Sequence, residues 1–126
     1  MTLVVRAFPL RGSMSDLAAF ASQLKDARAK EASQFYRHYG VEYESWHLQE
    51  TANGPWVIAV TTVANPDEAA PRYADATENF HVWFKSQILA LTGVDPNDTP
   101  LGPPTEEIFS WSAHPAAQPQ STRRAR

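Results

Sequence analysis

The sequence predicts a single α+β domain with a four-stranded antiparallel sheet and two long helices on one of its faces. Three observations carry this reading. Val41 to Val63 reads as strand, tight turn, strand. Apolar residues between Leu17 and Phe35 recur at three- and four-residue spacing, which marks one face of a helix. The elements follow one another as β-α-β-β-α-β.

Thr2 to Phe8 is the first strand, in which Leu3, Val5 and Ala7 share one face and Val4, Arg6 and Phe8 the other. Arginine is rarely buried without a partner, so the Leu3/Val5/Ala7 face is expected under the helices. Pro9 ends the ladder because it has no N–H to donate. Ser13 and Asp16 approximate a capping box, and an amphipathic helix of more than twenty residues is expected to run from there to Gly40.

In the hairpin, Asn53-Gly54 supplies residues that tolerate positive φ. Trp56 to Val63 is β-branched or aromatic almost throughout, as a strand requires. Asn65 and Pro66 open a second helical region, where Pro71 predicts a short helix or a pair of turns. From Glu78 to Leu91, Phe80, Phe84, Ile88 and Leu91 form a core stripe closed by Gly93. Val94 to Thr105 carries four prolines and reads as a stiff connection, with Glu106–Ser112 as the last strand. Residues 1–113 are expected to form the domain and residues 114–126 a disordered basic tail, since the latter offer little apolar surface to bury.

Composition narrows the function. The absence of cysteine excludes thiolate metal sites, disulfides and cysteine nucleophiles. The net charge is −3, and removing the three positive charges of Arg123, Arg124 and Arg126 leaves −6 on the rest. An acidic body argues against a nucleic-acid partner. No apolar run approaches the roughly 20 residues of a membrane span, so no membrane contact and a cytoplasmic location are expected. Gly-rich phosphate loops, nucleophile elbows and zinc-helix motifs are absent. His38, His47, His81 and His114 never pair at metal-ligand spacing, so no metal is expected.

The element order corresponds to the ferredoxin-like arrangement of two split βαβ units. Such a sheet leaves one face bare. A bare apolar face on a small protein marks an interface or a pocket, so a homodimer through the sheet face is expected. The strand ending in Arg6-Ala7-Phe8 before a glycine turn and the long first helix resemble the dimeric α+β barrel superfamily. So do Glu44-Ser45-Trp46 in the second strand and His81 in the second long helix. The likeness spans residues 2–112 and falls nearest a small bacterial branch beside the antibiotic-biosynthesis-monooxygenase-like proteins. It implies a homodimer, a cavity between sheet and helices, and no bound cofactor.

Among ionisable residues, Glu44 lies mid-strand beside aromatic side chains, where desolvation would suit it to general-base work, and His81 is a candidate proton donor or acceptor. Arg6, Phe8, Trp46 and Trp83 are the candidate ligand-binding residues. Arg6, Glu44 and Trp46 are expected to line one cavity on the bare face of the sheet, with His81 near its mouth. Two functions fit: binding of a small apolar or aromatic ligand, or a cofactor-independent monooxygenase or isomerase acting on an aromatic or polyketide-like substrate.

Overall fold

A computed structural model describes residues 2–75, 78–95, 105–113 and 120–121. The order is β1 (Thr2–Pro9), α1 (Met14–Lys25), α2 (Ala29–His38), β2 (Val41–Thr51), β3 (Gly54–Val63), α3 (Pro66–Asp75), α4 (Asn79–Thr92) and β4 (Gln120–Ser121). The sheet runs β2-β3-β1-β4. β3 is central and antiparallel to both β2 and β1, whereas β4 adds two residues parallel to Thr2 and Leu3.

The hairpin forms where the sequence places it, but only Gly54 takes a positive φ, at 105°. Ala52 and Asn53 make the turn, and Thr51 secures it. Its hydroxyl donates to Gly54 O (2.7 Å) and accepts from Asn53 N (3.1 Å).

The first helical stretch is two helices rather than one. Ser13 caps α1 by accepting from Asp16 N at 3.0 Å, and α1 ends at Asp26, whose backbone leaves the helical region. The apolar spacing lapses between Ala27 and Ala32, so one straight helix could not keep a single face on the sheet. The break re-aims the second half, and α2 buries Ala32 and Phe35. Asn65 caps α3 as expected, accepting from Asp67 N. α3 continues through Pro71, which sits on its exposed side. α4 buries Phe80, Phe84 and Leu91, with Ile88 packed against them.

Two expectations are corrected. Glu106–Ser112 is not a strand, so the antiparallel sheet has three strands. Adjacent Ile108 and Phe109 spoil the alternation a half-buried strand needs, and both, with Trp111, stand more than three-quarters exposed. The 106–112 segment has no regular secondary structure and follows Thr105, whose hydroxyl donates to Val5 O. Of the tail, only Gln120–Ser121 falls within the described residues, and most of the proline-rich connection lies outside them too.

The second correction concerns β1. Val4, Arg6 and Phe8 face the helices, and Leu3, Val5 and Ala7 face the open side. Register is collective: Val4, 2% exposed, and Phe8 pack into the core and carry Arg6 inward with them.

The core is aromatic. Phe20 lies 5.2–5.4 Å, centroid to centroid, from Trp46, Trp83 and Phe84. Phe35 meets Tyr39, Phe80 and Phe84 at 4.4–5.4 Å. A clamp ties β1 to the far end of α4. Arg11 N and Gly12 N both donate to Leu91 O, at 2.7 and 2.9 Å. A Cβ on Gly12 would lie 2.9 Å from Leu91 Cδ2, so a side chain there would have to push Leu91 aside. No helix among the described residues is long and apolar enough to cross a membrane.

Phe20 joins α1, the sheet and α4. Phe20→Ala should therefore destabilise the fold by about 3–5 kcal/mol, the usual result for a buried phenylalanine. A shift of the urea midpoint equivalent to less than about 1 kcal/mol would show that this cluster does not hold the layers together.

Candidate functional site

Two rungs of the sheet build the floor of a cavity beneath the helices. Trp46, Ala59 and Arg6 stand side by side across β2, β3 and β1. The adjoining rung is Glu44, Thr61 and Val4. Ala59 is the small residue at the centre of the floor of a cavity of about 130 Å³. Phe8, Phe20, Tyr36, Tyr73 and Phe84 contribute to its walls. Among the described residues, Arg6 and Glu44 are the only charged ones in the lining.

Glu44 is the hub of the polar end. Its Oε2 accepts from the Tyr36 hydroxyl at 2.6 Å and from Trp46 Nε1 at 2.9 Å, and its Oε1 accepts from the Thr61 hydroxyl at 3.1 Å. Glu44 keeps some accessible surface, yet its carboxyl is enclosed by protein on nearly every side. Burial raises its pKa above the ordinary carboxylate range, and the three hydrogen bonds offset part of the rise. Burial and the adjacent carboxylate push Tyr36 upward, so its hydroxyl stays protonated and donates.

Arg6 behaves differently. Its Nη1 donates to the Val5 carbonyl at 3.0 Å, and its Nε is buried with no hydrogen-bond partner. Desolvation lowers its pKa. No described acidic residue forms an ion pair with it; Glu44 satisfies its own needs from neutral donors. The cavity thus holds two opposite charges that do not meet.

Of the residues singled out from sequence, Arg6, Phe8, Glu44 and Trp46 stand together in the cavity wall. The cavity lies on the helix side of the sheet, not on its bare face. His81 and Trp83 are outside the lining. His81 is buried in α4, where its Nδ1 and the Tyr39 hydroxyl share a hydrogen bond of 2.6 Å and Phe35 packs at 4.8 Å. Burial lowers the His81 pKa; Glu78 draws it back, while His38 and Lys85 add to the lowering. Trp83 packs on Phe20 and Phe80, and Arg28 lies 4.2 Å above its ring. His47 points to the open face and bonds to Ser45 at 2.9 Å.

Sequence reading missed Tyr36, Thr61 and Ala59. Ala59 had a signal, as the one small side chain inside the bulky run from Trp56 to Val63. Tyr36 had none, because only the break between α1 and α2 brings its hydroxyl over β2. Among the described residues no group of three or more histidine, aspartate or glutamate side chains could hold a metal ion.

The raised pKa of Glu44 makes a pH prediction. The folded protein keeps this proton to higher pH than the unfolded chain. Glu44 therefore makes stability fall as pH rises from the ordinary value of 4.5 toward the raised one. Glu44→Gln should remove that component, flattening the stability–pH curve above 4.5 relative to wild type. Two parallel curves would show that Glu44 titrates normally.

No family model, no curated protein and no solved structure matches this chain. The site's chemistry is argued from its own geometry.

Proposed function

We propose that the protein binds a small, largely apolar, ring-containing ligand in the cavity between the sheet and the helices. The observation that supports this best is the cavity's composition: aromatic and aliphatic walls with two charged groups at separate places. Its volume of about 130 Å³ is close to that of an engineered apolar cavity of about 150 Å³ that takes up benzene. A void this large lowers stability unless something fills it, and ligand sites combine apolar walls with few polar groups in this way.

Homodimerisation through the open sheet face belongs to the same proposal. That face presents Leu3, Val5, Ala7, Ile58 and Val60, with Tyr43 59% exposed beside them. A second copy would cover this apolar surface, and light scattering should then give twice the 14.0 kDa chain mass. A mass of one chain at micromolar concentration contradicts the dimer.

A second reading, favoured by the raised pKa of Glu44, is general-base catalysis by a cofactor-independent oxygenase or isomerase. In that case Glu44→Gln abolishes a proton-transfer step worth about 10²–10⁴ in rate while ligand binding persists.

The ligand site is tested with phenol as a neutral ring probe. Phenol at a hundred times its Kd should stabilise the wild type by about 2.7 kcal/mol. Ala59→Leu, which fills the floor, should abolish the shift while the protein stays folded. An equal shift in Ala59→Leu would place phenol elsewhere.

A further inference from the structure

Two apolar surfaces of this chain stand uncovered, and they adjoin. The first is a segment. Ile108, Phe109 and Trp111, at 82%, 79% and 77%, are the most exposed large apolar side chains among the described residues. The second is the open face of the sheet. Its apolar half belongs to β1 and β3, where Val5 stands opposite Val60 and Ala7 opposite Ile58. β2 continues the same rungs with Ser45 and His47, which bond to each other.

The segment starts at the rim of the apolar half, where the Thr105 hydroxyl donates to Val5 O on β1. Its exposure means that its large side chains do not lie on their own sheet. Six residues beyond Thr105, Trp111 can stand up to about 20 Å from that anchor. Two sheets packed face to face are about 10 Å apart, so the segment can reach across to a second copy. A two-fold axis sets the segment and the open face of each copy in reciprocal positions, and one contact made twice covers all of them.

The area is sufficient. A covered phenylalanine or tryptophan buries about 150–250 Å². Phe109 and Trp111 from two copies therefore account for about 600–1,000 Å². The sheet surface beneath them brings the total above the roughly 1,000 Å² of a specific interface. Sheets packed without the segments would leave these rings in water.

We propose that residues 106–112 are an arm exchanged between two copies of the chain. The arm of each protomer lies across the open face of the other, with Phe109 and Trp111 against the partner's Val5, the partner's Ile58 and the partner's Val60. This rests on the sheet-face dimer, and it adds the element that holds the dimer together.

Sedimentation equilibrium of the full chain at micromolar concentration reads the dimer. Cross-linking reads where the arm lies, since the chain has no cysteine of its own. Phe109→Ser combined with Trp111→Ser should weaken the dimer by a factor of about thirty or more. The fold should survive, because both side chains are exposed. In an oxidised equimolar mixture, chains carrying Phe109→Cys should form disulfides with chains carrying Val60→Cys. Unchanged dimer affinity in the double serine variant overturns the inference and leaves the sheet-face dimer standing. Disulfides formed only between two Phe109→Cys chains would place arm on arm and overturn it as well. So would closure within a single chain carrying both substitutions, which places the arm on its own sheet. A wild type that sediments as one chain overturns the dimer and the arm exchange together.

Discussion

The two-residue period of a β-strand is the constraint on which the rest depends. A strand cannot bury Val4 and Phe8 against the helices without sending Arg6 the same way. The apolar gain of two core side chains exceeds the cost of one half-buried guanidinium whose Nη1 finds a carbonyl. Once Arg6 is inside, the register with β3 sets Ala59 beside it, and the register with β2 sets Trp46 beyond. The cavity, its small floor and its separated charges all follow from that parity.

The same constraint explains what was legible in the sequence. The hairpin, the Ser13 and Asn65 caps and the α4 stripe depend on local spacing, and they lie where the residues place them. The grouping of Arg6, Glu44 and Trp46 is also a matter of spacing, since positions two apart in one strand share a face. The direction of that face was not legible. It is set by the sum of side chains along β1 and by the aromatic cluster around Phe20 and Phe35, not by a general aversion to buried arginine. The helix break at Asp26 has a weak signal in the lapse of apolar spacing, and it alone delivers Tyr36 to Glu44. His81 reads as a site residue because histidine is chemically versatile, yet it is buried in a hydrogen bond with the Tyr39 hydroxyl.

Electrostatics separates this site from a merely imperfect core. A structural ion pair would bring Arg6 and Glu44 together and satisfy both, since a buried charge is tolerated when partnered. Instead Glu44 draws its hydrogen bonds from neutral donors, and Arg6 keeps a buried Nε without any. The two charges in the cavity lining are thus held by different partners and do not neutralise each other.

The central proposal is that the cavity between the sheet and the helices takes up a small ring-containing ligand. A crystal structure of the protein grown with phenol tests it most directly. The account predicts density for one ring over Ala59, beside Trp46 and Phe20. An empty cavity, or phenol bound elsewhere, would contradict it.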